Sequence, residues 1–191
     1  ISVNTASNTV TETFDFVVYQ GQLVPPGTYS DMVMINLYRG ATGQNGLSDD
    51  EPLPISVTVQ PFVSVSVVDP GGVFDPGSDN VLLDFGTLTA GVTRSLDLLV
   101  LANVDYNVTV DSTNSGVLAI VPAGDGSNVP YTLEVNGTVR DLSSGSADVI
   151  DGTGPTVLAG ERHTLDFEIG NTTGATSGTY EDILTITVTS Q

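Results

Sequence analysis

The residues best suited to chemistry in this chain are oxygen-bearing side chains on a glycine-rich stretch, DPGGVFDPGSDN, at positions 69–80. The four candidate metal ligands there are Asp69, Asp75, Asp79 and Asn80. Oxygen ligands on a loop suit a hard cation such as Ca²⁺, although the spacing is not that of an EF-hand. Asp-Pro pairs also form ordinary turns. The stretch therefore predicts either a calcium site or a turn-rich loop, and Asp148 and Asp151 form a second candidate metal site.

Side chains that usually carry out catalysis are scarce. His163 is the only histidine, and the chain has no cysteine and no tryptophan. A zinc site or a nucleophile with its base needs a second such residue nearby, and a sugar-stacking cleft needs more aromatic rings. No glycine-rich loop precedes a predicted helix, so no phosphate-binding loop is predicted. We therefore predict that the chain is not an enzyme and has no cofactor apart from the Ca²⁺ considered above.

The charge is strongly one-sided. Asp and Glu together number 23, whereas the four cations are all arginines and the net charge is −19 at pH 7. Such a surface repels nucleic acid and anionic lipid. No run of about 18 apolar residues exists, so no membrane insertion is predicted. The acidity suits either a well-solvated exterior or a calcium-rich or saline environment.

The hydrophobic pattern predicts strands throughout. Val, Thr, Ser and Gly dominate, and short apolar alternations are separated by Gly, Pro, Asn and Asp. Strands are predicted at 14–19, 31–38, 55–59, 63–68, 81–85, 96–101, 106–110, 117–121, 131–139, 163–169 and 183–189. Strands this short and this closely spaced indicate an all-β protein built as a two-sheet sandwich.

An internal repeat divides the chain. Residues 13–38 and 164–189 align without a gap, 151 positions apart. The identical positions are Thr13, Asp15, Phe16, Gly27, Thr28, Tyr29, Asp31 and Ile35, which recur as Thr164, Asp166, Phe167, Gly178, Thr179, Tyr180, Asp182 and Ile186. Repeats mark repeated structural modules. We predict tandem immunoglobulin-like β-sandwich modules: 1–42 as the C-terminal strands of an incomplete first module, 43–54 as a linker, and 55–191 as a complete module.

The incomplete first module has two explanations. Residues 1–40 are either what remains of a longer chain after trimming or a natural mature end. In the second case their strands must be completed by another copy, because two strands alone are only marginally stable.

The repeated Gly-Thr-Tyr-x-Asp segment has a structural interpretation. Glycine before a strand permits a tight turn with positive φ. Tyr29 and Tyr180 are expected to place their rings over a sheet edge and their hydroxyls on backbone, as in a tyrosine corner. Asp31 and Asp182 are expected to accept turn amides.

These segments, PGTYSD at 26–31 and SGTYED followed by ILTITVT at 177–189, resemble the end of a spore coat protein U-type domain. That domain forms the pilins and adhesins of archaic chaperone–usher pili. LDFGTL at 83–88 and YNVTV at 106–110 are similar to two further segments of the same domain. The resemblance implies an incomplete sandwich that is completed by a strand from the next subunit, called donor-strand complementation. It also implies other pilus subunits or copies of itself, a periplasmic chaperone and an usher as partners.

Two alternating apolar stretches are candidates for strand exchange. They comprise Ile55, Val57 and Val59, and then Val63, Val65 and Val67, with Gln60-Pro61 as a break between them. The first stretch either completes the first module, or opens the second as its own first strand.

Together these features predict a secreted, cell-surface protein that works by assembly and adhesion, either as a pilus subunit or as a two-domain tip adhesin. An alternative is a calcium- or glycan-binding accessory module of a larger surface protein. A third is a fragment of an enzyme whose catalytic domain lies elsewhere.

Overall fold

The computed structural model describes residues 13, 15, 17, 19, 21–38, 47–78, 80–122, 124 and 126–191. These residues form strands, turns and loops and no helix, so the predicted all-β fold is confirmed. The chain divides into two compact units. The first contains the residues up to Gln22 together with Pro26–Gln60, and the second contains Leu23–Pro25 and Pro61–Gln191.

The strands of the described residues follow one another in this order: β1 (Gly27–Tyr38), β2 (Leu47–Val59), β3 (Val63–Val68), β4 (Thr93–Ala102), β5 (Tyr106–Ser112), β6 (Val117–Val121), β7 (Asn128–Val135), β8 (Thr138–Arg140), β9 (Ser146–Gly152), β10 (Glu161–Ile169), β11 (Thr179–Glu181) and β12 (Leu184–Ser190). Within these residues, no helix has the length and apolar character needed to cross a membrane.

The first unit contains a long antiparallel hairpin of β1 and β2. The pairing runs from Gly27 opposite Val59 to Tyr38 opposite Leu47. Directly opposed residues share a face, so Val33 and Leu53 lie together on one side. A two-stranded ribbon cannot bury either face, and Met32 is accordingly 61% exposed.

The second unit is a sandwich of two antiparallel sheets. The larger sheet has the strand order β11-β6-β7-β10-β4-β3, with β8 also paired to β7, and the smaller has the order β12-β5-β9. Strands β5 and β10 alternate buried and more exposed residues, as strands with one face on a core do. The core between the sheets includes Leu96, Leu98, Val100, Tyr106, Val108, Val110, Leu133, Val135, Leu165 and Phe167.

Strand β4 is buried on both faces. Five consecutive residues, 96–100, are buried, because the loop after β3 covers the outer side of the sheet. Asp97 Oδ2 accepts the N–H of Gly71 at 2.6 Å and forms an ion pair with Arg162, whose Nη2 donates to the carbonyl of Gly72 at 2.6 Å. Charge-assisted bonds of this kind are the stronger hydrogen bonds in proteins. They fix the loop and, through it, the edge strand β3.

Strands β5 and β9 are joined by close packing of a ring on a glycine. Tyr106 lies opposite Gly152 and is fully buried. A bulge follows in β9, because Val108 pairs with Ile150 and Thr109 with Asp148. The residue left over, Val149, is buried beside Ile150, which explains why the alternation of this strand is hidden in the sequence.

Several sequence predictions differ from the structure. Residues 81–85 form no strand, although Leu83 and Phe85 pack against the core. The predicted strand 131–139 is a hairpin, since it turns at Asn136 with positive φ (51°) and Gly137. Strand β9 was not predicted. The described residues between 13 and 19 form no strand, and Phe14, Phe16 and Val18 lie outside the described residues.

The predicted linker 43–54 is wrong from residue 47 onward, because β2 already begins at Leu47. Pro52 and Pro54 suggested a linker, but proline is tolerated in an edge strand where no ladder N–H is required. The main segment of the second compact unit begins at Pro61 rather than at Ile55, so Ile55, Val57 and Val59 belong to the first unit.

We expect Gly152→Ala to lower the free energy of unfolding by about 1–3 kcal/mol. A methyl group there would lie 2.1 Å from Cζ of Tyr106, so the ring would have to move. Urea unfolding followed by circular dichroism measures the loss. Gly124→Ala is the matched control, because its added Cβ would meet only the carbonyl oxygen of Pro122 at 3.7 Å. Equal midpoints for the two variants would contradict this packing.

Candidate functional site at an open sheet edge

The repeated Gly-Thr-Tyr-x-Asp segment near the C-terminus carries the chain from one sheet to the other. Strand β11 pairs with β6 in the larger sheet, whereas β12 pairs with β5 in the smaller. The break between them falls at Asp182. Its Oδ1 accepts the N–H groups of Ile183 at 2.8 Å and Asn114 at 3.0 Å. Its Oδ2 accepts the hydroxyls of Ser112 and Tyr131, each at 2.6 Å.

The other two residues of this segment hold β11 in place. The hydroxyl of Tyr180 donates to the carbonyl of Thr176 and is 2.9 Å from the Ser127 hydroxyl. Gly178 does not have a positive φ, contrary to our expectation. Its requirement is space, because an added Cβ would lie 2.8 Å from Cδ1 of Ile120. In the first copy, Gly27 does have a positive φ, of 153°.

Strand β12, placed in this way, has an open edge. It pairs with β5 along its whole length, and no described residue pairs with its opposite edge. Its core-facing residues Leu184, Ile186 and Val188 are only partly buried, whereas Val108 and Val110 of β5 are fully buried. The apolar positions of β12 are therefore incompletely covered.

Strand β3 borders the same opening. It ends the larger sheet, pairs with β4 and approaches β12. Its core-facing residues Val63, Val65 and Val67 are also partly buried. Among the described residues, a backbone hydrogen bond occupies its free edge at the Val67 end, where the carbonyl of Ser78 accepts the Val67 N–H at 3.1 Å. Between β3 and β12, the sandwich is open along one side.

The first copy of the repeat has a different strand arrangement from the second. Strand β1 corresponds to β11 and β12 together, and β2 pairs with it from end to end. Asp31 Oδ1 accepts the N–H of Met32 at 2.7 Å, which is the counterpart of the Asp182–Ile183 bond. Despite this bond, β1 runs on without a break. The same repeated segment therefore forms one unbroken strand in the first copy and two strands in the second.

Two of the predicted metal ligands form turns in the described residues, and the calcium site itself stays a prediction. Asp75 Oδ1 accepts the N–H of Gly77 at 2.9 Å, and the backbone of Asp69 accepts that of Gly72 at 2.8 Å, as in turns. Within the described part of the chain, no three His, Cys, Asp or Glu side chains group as metal ligands. Asp79 lies outside it. Asp151 Oδ1 accepts a hydrogen bond from Gln191.

His163 lies in the core, where every ring nitrogen has a partner. Thr164 donates its N–H to Asn136 Oδ1 at 3.0 Å, so the amide nitrogen of Asn136 must face His163 Nδ1, also at 3.0 Å. Nδ1 is therefore an acceptor, and Nε2 donates to the Tyr106 hydroxyl at 3.0 Å. That hydroxyl donates to Glu161 Oε2 at 2.9 Å.

This relay requires a neutral imidazole. Burial lowers the pKa of His163, and nearby Glu161 offsets part of that effect. Burial also raises the pKa of the Tyr106 hydroxyl, aided by its bond to Glu161. The relay links β10, β5 and the β7–β8 turn. It offers no exposed nucleophile.

We expect stability to fall as the pH drops below about 6.5, the ordinary pKa of histidine. The folded pKa is lower than the unfolded one, so the unfolded chain takes up the proton first and is favoured. His163 is the only histidine, so His163→Gln should flatten the stability profile between pH 6.5 and 5. Urea midpoints at each pH measure this. Parallel profiles for the two proteins would contradict the assignment.

Comparison with protein-family models gave no match, and comparison with curated protein sequences gave none either.

Solved structures of pilus proteins are similar to this chain. A chain of the chaperone–tip adhesin complex of CFA/I fimbriae biogenesis is 14% identical, with a TM-score of 0.46, over 87% of this chain and 54% of that one. A chain of the CsuC–CsuE chaperone–tip subunit complex from archaic Csu pili of Acinetobacter baumannii is 17% identical, with a TM-score of 0.47, over 88% and 61%. The CooA pilin subunit from enterotoxigenic Escherichia coli is 19% identical, with a TM-score of 0.44, over 66% and 86%. This chain thus spans less than two thirds of the first two.

Proposed function

We propose that this protein is a structural or adhesive subunit of a cell-surface pilus or filament. Its second unit binds a strand from a neighbouring subunit along the free edge of β12, by donor-strand complementation. One observation carries the proposal: β12 pairs with β5 on one edge, has no described partner on the other, and leaves Leu184, Ile186 and Val188 only partly buried.

The exposed edge explains why a strand would bind there. A free edge presents unpaired N–H and C=O groups, which pair readily with an added strand. The partly buried Leu184, Ile186 and Val188 would gain cover from a strand whose side chains alternate with the same period of two. Each fully buried aliphatic side chain contributes about 1.5–3 kcal/mol relative to exposure. The backbone hydrogen bonds at the free edge and the burial of these side chains both favour a donor strand with alternating apolar residues.

The chain itself supplies a pattern for the donor. Ile55, Val57 and Val59 alternate in β2, which runs antiparallel to β1. By analogy with that hairpin, the donor runs antiparallel to β12. In this scheme β2 is the partner strand of β1 and comes from the same chain, whereas the strand added to β12 comes from another subunit.

The partners and location follow from the sequence resemblance to spore coat protein U-type domains. A periplasmic chaperone would protect the open edge before assembly, and an usher would replace the chaperone with the next subunit. The finished protein would lie outside the cell. The net charge of −19 suits such a solvated position and disfavours partners that are themselves acidic.

We expect a donor strand added in cis to stabilise the protein. The variant carries a copy of residues 53–59 after Gln191, joined by a flexible Gly/Ser linker. Its melting temperature should rise by at least about 4 °C, since ~1 kcal/mol shifts a chain of this size by about 2–4 °C. The control carries asparagine in place of Ile55, Val57 and Val59 in the added copy only.

Equal melting temperatures for the two extended chains would contradict complementation at β12. Light scattering on the unextended chain gives a second readout, because open edges should produce oligomers that the cis strand suppresses. If the unextended chain is a monomer and neither extension changes its melting temperature, the pilus proposal is wrong.

A further inference from the structure

A cavity of about 370 Å³ lies in the second unit, away from the open edge of β12. It is lined by both polar and apolar side chains, among them Val117, Tyr131, Thr132, Arg140, Asp141 and Ser143. Its volume falls within the range of small-molecule sites, which is about 300–1,000 Å³.

The cavity occupies a gap beside β7. Strand β10 fills one side of β7, from Tyr131 to Val135. On the other side, β6 pairs only as far as Pro130, and β8 begins its pairing at Leu133. No described strand therefore lies beside Tyr131 and Thr132 on that side. The gap is a consequence of sheet topology, which gives the cavity a rigid frame.

One nitrogen of the Arg140 guanidinium group, the buried Nε, has no acceptor among the described residues at this gap. The two other arginines that the structure describes do have partners. Arg162 pairs with Asp97 and Gly72, and Arg94 donates to the carbonyls of Asp84 and Thr93. A buried N–H without an acceptor destabilises the folded chain, because it has lost its hydrogen bond to water.

The neighbouring carboxylate does not relieve Arg140. Asp141 Oδ1 accepts the N–H of Ser143 at 2.9 Å, and hydrogen bonds from Ser143 lower the pKa of this carboxyl. No ion pair joins Asp141 to Arg140 within the described part of the chain. Arg140 lines the cavity without an ion pair among the described residues, in a chain that has 23 acidic residues, and this favours an acceptor supplied from outside.

We propose that this cavity binds a small ligand through a carboxylate group, which the guanidinium of Arg140 holds. Guanidinium groups match carboxylates by paired N–H···O bonds. Tyr131, Val117 and Leu133 line the cavity and supply an apolar wall for the rest of the ligand. The carboxylate belongs either to an acidic sugar or to a peptide side chain. This inference is independent of strand complementation at β12.

The test is titration of the ¹⁵N-labelled full chain with glucuronate, with N-acetylaspartate amide and with glucose, followed by NMR. Glucuronate and glucose share a ring and differ in the carboxylate. We expect saturable shifts at Tyr131, Thr132 and Arg140 with at least one of the two anions and none with glucose. The anion that binds more tightly identifies the source of the carboxylate.

Arg140→Gln should weaken that binding by about tenfold or more, the value of a charge-assisted hydrogen bond. Arg140→Lys keeps the charge but loses the planar fork, and should bind more weakly than the unmodified chain. Arg94→Gln is the matched control, because it makes the same charge change outside the cavity. Unchanged melting temperatures show that each variant is folded. Equal binding by glucose, equal binding by Arg140→Gln, or no shift with either anion would overturn the proposal.

Discussion

The carboxylate of Asp182 is the group on which the architecture of the second unit depends. Its two oxygens accept four hydrogen bonds, from two backbone N–H groups and two hydroxyls. These bonds reach β5, β7 and the turn after β5, so a single side chain ties the two sheets together at the point where the chain crosses between them. The crossing places β12 beside β5 with its other edge unpaired. The hydrogen bonds of Asp182 thus fix the position of β12, and the position of β12 defines the open side of the sandwich.

The core supports this crossing from within. Tyr106 packs on Gly152 and joins the relay through His163 to Asn136 and Glu161, so the Tyr106 hydroxyl and both ring nitrogens of His163 have partners within the protein. The outer side of the larger sheet is closed by the loop that Asp97 and Arg162 hold. One side of β12 and much of one side of β3 are left uncovered. The packed core holds β12 and β3 in place before a partner binds. This preorganisation favours the binding of an added strand at their free edges, because less conformational freedom is lost on binding.

Much of the fold could be predicted from period-two patterns, whereas the sites could not. Leu184, Ile186 and Val188 alternate with threonines, and the structure places them in a strand as expected. The bulge at Val149 breaks that period and hid β9. Leu83 and Phe85 alternate too, yet they pack on the core without a partner strand. The free edge of β12 depends on which strands pair, and the sequence does not specify that pairing. Arg140 could not be recognised as a candidate binding residue from the sequence, because the cavity that it lines is formed only by the fold.

The turn between β7 and β8 also bears on the chemical lifetime of the protein. Asn-Gly sequences are prone to deamidation, because the nitrogen of the glycine attacks the asparagine side chain to give a succinimide. In the folded chain, the Asn136 amide is held by His163 on one side and by the Thr164 N–H on the other. The attack on it by Gly137 would first have to break both bonds. The fold therefore protects this Asn-Gly pair, and local opening of the turn would set the rate at which Asn136 deamidates.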